Sequence, residues 1–242
     1  MILRTFRRLV RIVAFAGVTI PLYAIYLVTR SRWIVRTWAR LCARVIGLRI
    51  RTSGRIPPPG YVVANHCGYL DVLLIGSRLD ACFVAKTEIA GWPVLGWLAS
   101  GTGTIFIDRK AARDVLRVSE RIREAADAGR HVVLFPEGGS SDGSAVLPFR
   151  SALLQVAADD RRSVHPLALG YSTPEGEPPA RDAVCWWGGA SFAPHLWTLL
   201  GIRRIDGWIE FLDPVTGETR RELSEKARDE ISRVVARVRI TE

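Results

Sequence analysis

Two residues able to move a proton stand five positions apart, His66 and Asp71, in the run Asn65-His66-Cys67-Gly68-Tyr69-Leu70-Asp71. A histidine takes up a proton near neutral pH. A carboxylate on its other ring nitrogen fixes the tautomer and stabilises the imidazolium that forms. The run directly follows Tyr61-Val62-Val63-Ala64, a β-type stretch, which puts the pair at a strand-to-helix turn. No serine stands directly before this pair, so a substrate hydroxyl is the expected nucleophile. Cys67 offers the alternative of a covalent intermediate on its thiol, which would need a lowered thiol pKa.

Three more segments combine an apolar strand with reactive or charged residues. Gly103 to Lys110 ends in Asp108, Arg109 and Lys110. Val132 to Gly143 is stopped by Pro136, then continues as Glu137, Gly138, Gly139, Ser140 and Ser141. Val164 to Gly170 carries His165 and Pro166. Arg109 is the leading candidate for binding an anion, because a guanidinium binds phosphate or carboxylate bidentately, with Lys110 and Arg150 as helpers. His131 and His195 belong to no such segment.

These segments need a scaffold that brings strand ends together. Strands are expected at Tyr61–Ala64, Cys82–Lys86, Thr104–Asp108, His131–Phe135, Val164–Leu169, Val184–Trp187 and Trp208–Leu212. Helices are expected at Asp71–Leu79, Pro93–Ser100, Ala111–Ala128, Phe149–Ala158, Phe192–Leu200 and Arg220–Val238. The alternation predicts an α/β fold with a mostly parallel, helix-covered sheet, its active residues in loops at the carboxyl ends of strands.

Taken in order, NHxxxxD at Asn65–Asp71, Phe106-Ile107-Asp108-Arg109, Phe135-Pro136-Glu137-Gly138 and the proline-containing fourth strand resemble the 1-acylglycerol-3-phosphate acyltransferase family of lysolipid acyltransferases. Ala85-Lys86-Thr87-Glu88, Gly91 to Gly96 and Leu147-Pro148-Phe149-Arg150 extend the likeness over residues 60–175. The resemblance implies a glycerolipid acyltransferase-like fold and direct acyl transfer from acyl carrier protein or coenzyme A thioester, with no bound cofactor and no metal. It implies His66 as general base and Asp71 as its orienter. Arg109, Lys110, Glu137, Gly138, Gly139, Ser140 and Arg150 would be acceptor-binding. The amides near Cys67 and Gly68 are a candidate oxyanion site, being at the turn into a helix.

The family's third motif usually reads FPEGTR, its arginine contributing to phosphate binding, whereas Gly139 and Ser140 occupy those positions here. The acceptor expected first is 1-acylglycerol-3-phosphate, giving phosphatidic acid. The Ser-Ser-Asp-Gly continuation looks more like members that acylate lyso-ornithine lipid, which is the alternative. Two readings of other classes are a hydrolase using Ser140 or Ser141 and a non-catalytic membrane-binding module. The hydrolase lacks a Gly-x-Ser-x-Gly elbow.

Charge is unevenly placed. Of 34 Lys and Arg, twelve arginines lie within residues 1–55, a stretch without acids; the rest of the chain holds 22 basic against 24 acidic residues. Basicity confined to an apolar segment favours an anionic membrane surface over nucleic acid. Ile12–Thr29 is uncharged, interrupted by Pro21, and flanked by arginines on both sides. It fits a span or a re-entrant helix. Ile34, Trp38, Leu41, Val45 and Leu48 then follow helical spacing, with Arg32, Arg36, Arg40 and Arg44 on another face, as in a helix lying among headgroups. Packing of both helices on the globular part is the competing arrangement. The expected organisation is a membrane-anchoring two-helix segment at 1–55 and a catalytic domain at 56–242, working at the cytoplasmic face of the membrane. Four cysteines without paired spacing suggest isolated thiols.

Overall fold

The structure, a computed structural model, describes residues 2–92, 96, 99–100, 102–108 and 112–241, without the side chains of 112–116 and 239–241. Seven strands form one sheet: β1 Leu48–Ser53, β2 Gly60–Ala64, β3 Ala81–Lys86, β4 Ile105–Ile107, β5 His131–Leu134, β6 Val164–Ser172 and β7 Ile205–Phe211. Their order is β1-β7-β6-β2-β5-β3-β4. All neighbours are parallel except β6 and β7. The helices are α1 Ile2–Thr29, α2 Arg32–Val45, α3 Leu70–Gly76, α4 Ala112–Asp127, α5 Gln155–Asp159, α6 Ala180–Ala183, α7 Phe192–Gly201 and α8 Arg220–Thr241.

The central strands are apolar on both faces because helices cover both sides. Val62 and Ala64 of β2 pack with α2, α3 and α7 through Cys42, Leu74 and Leu199. Tyr61 and Val63 point the other way, toward Ile122 of α4, Leu154 and Ile231 of α8. This two-residue alternation in a continuous apolar run pins the register, since a slip by one residue would exchange the two cores.

Three expectations are corrected. Val184–Trp187 is not a strand but the turn after α6, buried at Val184 and Cys185 and exposed at Trp187. The sheet position at the β7 edge is taken instead by β1, where no strand is expected and whose first residue, Leu48, also fits the helical spacing of α2. Gly47, at φ +80°, follows the end of α2, and Leu48-Arg49-Ile50-Arg51 pairs in parallel with Ile205–Trp208. The boundary expected after residue 55 therefore falls beyond a strand of the sheet. The arginine row of α2 also does more than face solvent. Arg40 donates to the Ser77 carbonyl at 2.9 Å, Arg36 to that of Arg78, and Arg32 pairs with Asp80 at 2.9 Å. Carbonyls at a helix C-terminus carry partial negative charge, which draws guanidinium groups. The helix expected at Pro93–Ser100 falls largely outside the described residues.

Helix α1 is fastened at its arginine-rich end. Arg11 is buried and donates to the carbonyls of Leu200, Ile202 and Arg203, while Arg7 donates to Gly201 at 2.7 Å. Further along, Trp38 Nε1 donates to Thr19 Oγ1 at 3.0 Å. The opposite face is open: Phe6, Val10, Val13, Ile20 and Val28 are all exposed. By length and composition α1 is long and apolar enough to cross a bilayer. Arg11→Met should leave the carbonyls after α7 unsatisfied and lower stability by about 2 kcal/mol. Denaturant unfolding of the detergent-solubilised protein measures this.

Candidate active site

The turn after β2 is held from four directions. Asn65 stands where the β2–β6 ladder ends, and its side-chain amide pairs with both backbone groups of Leu169, each at 2.9 Å. The His66 N–H donates to Glu137 Oε1 at 2.9 Å, and the His66 carbonyl accepts from the Ser141 N–H at 2.8 Å. The Cys67 carbonyl accepts from the Trp186 N–H at 2.8 Å. Gly68 has φ +150°, and a Cβ there would lie 2.9 Å from the Trp186 nitrogen, so this position requires glycine.

The chain then enters α3, whose first turn carries Asp71. Asp71 is completely buried. Its Oδ2 accepts from His66 Nδ1 at 2.7 Å, Cys67 N at 2.8 Å and Gly68 N at 3.1 Å. Its Oδ1 accepts from the Tyr171 hydroxyl at 2.6 Å. With Nδ1 donating to the carboxylate, the His66 lone pair is on Nε2, which has no partner among the described residues. The ring stacks on Phe135, centroids 4.2 Å apart, and the side chain is 23% exposed. The result is an imidazole held in one tautomer and one orientation, an arrangement able to accept a proton at Nε2.

The amides of Cys67 and Gly68 are thereby corrected as an oxyanion site, since both are engaged by Asp71. Cys67 is fully buried, and its thiol is pushed well above its ordinary value by the neighbouring Cys185 thiol and by burial. That disfavours the thiolate an acyl-enzyme would need.

Glu137 and Gly138 follow β5 beside this turn. Glu137 is buried, with Oε1 on His66 N and Oε2 on Leu147 N at 3.4 Å, so its carboxylate braces the histidine loop. Burial raises its pKa to about 7, against the two amide bonds that lower it. The Ser140 hydroxyl donates to the Trp186 carbonyl, and the Ser141 hydroxyl donates to the His66 carbonyl at 3.3 Å. Both hydroxyls donate to backbone carbonyls, and neither is paired with an imidazole, as a serine hydrolase would require. Gly139 is exposed. Arg150 has its backbone N–H on the Pro136 carbonyl at 2.8 Å, which brings it to the same strand end with its side chain exposed. Arg109 and Lys110 lie outside the described residues; the strand leading to them, Ile105–Ile107, runs parallel to β3.

Three contributors were missed from sequence: Tyr171, Phe135 as a stacking platform, and Asn65 as a strand bridge. Phe135 and Asn65 were inside the motifs already singled out. Tyr171 had no signal beyond closely following the fourth segment. His195 joins the Tyr69 hydroxyl to the Cys185 carbonyl, and His131 contacts the Pro57 carbonyl.

A helix-covered, mostly parallel sheet with a His–Asp pair at the carboxyl end of a central strand makes this an α/β protein with a candidate proton-accepting site. The 1-acyl-sn-glycerophosphate acyltransferase from Thermotoga maritima shares the fold, with a TM-score of 0.70 at 20% identity over 98% of both chains. The Acyltransferase family matches residues 48–170. A lyso-ornithine lipid O-acyltransferase of Rhodobacter capsulatus is 39% identical over 68% of this chain and 60% of its own length. One from Brucella abortus is 32% identical over 90% of this chain and 88% of its own. A 1-acyl-sn-glycerol-3-phosphate acyltransferase of Neisseria gonorrhoeae is 32% identical over 81% and 77%. The chain belongs to the acyltransferase family.

The raised Glu137 pKa has a stability consequence. An acid whose folded pKa exceeds its unfolded value stabilises the fold at low pH, and this contribution is lost as pH rises through the folded value. Stability should therefore fall between about pH 4.5 and 7, by up to about 3 kcal/mol from this group. Glu137→Gln should flatten that slope, measured by unfolding at a series of pH values.

Proposed function

We propose that this protein is a membrane-associated O-acyltransferase that moves a fatty acyl group from acyl carrier protein or coenzyme A thioester to the free hydroxyl of a lysolipid. The observation that carries the reading is the orientation of His66, its Nδ1 on the buried Asp71 and its Nε2 without a partner among the described residues. In this scheme Nε2 takes the acceptor's hydroxyl proton as the oxygen attacks the thioester carbonyl. The tetrahedral adduct then expels the thiolate, which recovers the proton from the imidazolium. An ester forms, a thioester is consumed, and no enzyme-bound acyl group is needed.

The third motif supports a choice of acceptor. Ser140 stands among the positions where the family usually has a phosphate-binding arginine, and its hydroxyl already donates to the Trp186 carbonyl. A phosphate monoester would lack that partner, at a cost of about 1.5–3 kcal/mol for one charge-assisted hydrogen bond. This favours lyso-ornithine lipid as acceptor and makes 1-acylglycerol-3-phosphate the second reading, reversing the order taken from the sequence. The names of the Rhodobacter and Brucella relatives support the same choice.

Membrane association is assigned to the open apolar face of α1, with the active site at the cytoplasmic face, where the thioester donors are. Burial of such a face in the acyl–headgroup boundary is driven by its apolar area. Val13 and Ile20, 72% and 67% exposed, lie on it. Replacing both with lysine should move the protein off vesicles, seen by flotation, while its circular dichroism remains unchanged.

A paired assay with labelled donor thioester tests the chemistry and the acceptor together. Lyso-ornithine lipid should be acylated faster than 1-acylglycerol-3-phosphate, and His66→Ala should lose about 10²–10⁴-fold with either acceptor. Equal or greater turnover of the phosphate acceptor would return it to first place. Transfer retained by His66→Ala would remove the base mechanism.

A further inference from the structure

We propose that Tyr171 is a positioning residue that sets the base strength of His66 through Asp71. Its hydroxyl draws the carboxylate's charge toward Oδ1, away from the imidazole on Oδ2. The inference rests on the general-base reading of His66 and assigns a role to a residue outside the four motifs.

The two carboxylate oxygens are served unequally. Oδ2 has three donors, two of them backbone amides of the turn, whereas the bond from Tyr171 at 2.6 Å is Oδ1's own. A donor on a carboxylate stabilises its charge and weakens its pull on a neighbouring cation. The Tyr171 proton is always available, because burial first and Asp71 second hold the phenol well above its ordinary value.

The fold makes room for this contact. Tyr171 lies in β6 opposite Gly207 of β7. A Cβ at Gly207 would come within 2.9 Å of Leu48, 3.0 Å of Leu74 and 3.4 Å of the Tyr171 ring. Losing the hydroxyl should change the charge on Asp71 without releasing it, since the Cys67 and Gly68 amides still hold Oδ2. Uncovered charge makes the adjacent imidazole a stronger base. The other titratable groups facing the pair are Glu137, on the His66 amide, and the Cys67 and Cys185 thiols. Glu137 titrates near 7, so the effect has to be read on His66 itself.

The test is Tyr171→Phe in the full chain in detergent, with Tyr171→Leu as a second variant lacking the donor. The His66 ring is titrated by nitrogen NMR, and kcat/KM is followed against pH. In both variants the His66 midpoint should rise by about one unit, and the acid limb should move with it. Transfer at pH 6 should fall about tenfold, and transfer at pH 9 should stay within about threefold of the unaltered protein. Midpoints that superpose on the unaltered protein's overturn the proposal. So does a rate lowered equally at every pH with an undisplaced limb, which marks a purely structural role. The NMR titration judges Tyr171 even if His66→Ala retains transfer, so failure of the base reading is separable from failure of this one.

Discussion

Asp71 has no surface in contact with water, yet it must carry a negative charge to orient His66. An ion in that position is tolerated only when its lone pairs are filled, because the cost of removing a carboxylate from water amounts to several kcal/mol. Four donors meet it: an imidazole, two amides of its own turn and a tyrosine from a distant strand. Much of the surrounding architecture is there to bring these four to one point. The β2–β6 pairing extended by Asn65, the glycine at 68 and the short helix that begins at Leu70 all place a donor or the acceptor.

The histidine turn is braced from outside by a second carboxylate used in the opposite manner. Asp71 lies among donors and holds the catalytic geometry. Glu137, also buried, accepts from only two amides, and burial raises its pKa to about 7. Its contact is with the backbone of His66, not the ring, so it shapes the loop while leaving the imidazole to one partner. The phenyl ring of Phe135 closes the remaining side. Stacking restricts ring rotation but adds no charge, which keeps the basicity of His66 under the control of Asp71.

Much of this was legible in the sequence, for local reasons. A continuous apolar strand followed by NHxxxxD has few ways to fold, and β2, α3 and the His66–Asp71 contact follow from it. The unread parts depend on partners far along the chain. Leu48–Ser53 alternates apolar and charged residues as an edge strand does, but Leu48 also fitted the helical spacing of α2. Only its pairing with β7 decides between them. Val184–Trp187 is apolar enough for a strand, but its backbone is already engaged by the turn at Cys67. The amides of Cys67 and Gly68 looked open to an oxyanion because the sequence does not show that the carboxylate three and four residues later turns back onto them. Tyr171 was invisible for the same reason: its meaning lies in a strand register.

The pairing of β1 with β7 also fixes an order of events during synthesis. The Ser53 hydroxyl donates to the carbonyl of Ile209, 156 residues later, and Arg7 waits 194 residues for the carbonyl of Gly201. At ribosomal speeds of about 5–20 residues per second, the first of these gaps takes roughly 8–30 s. Throughout that interval the arginine-bearing face of α1 lacks the carbonyls at the end of α7 that will fasten it, while its apolar face is open. The helix therefore gains its fastening only after most of the chain has been made, and the edge of the sheet is closed at the same late stage.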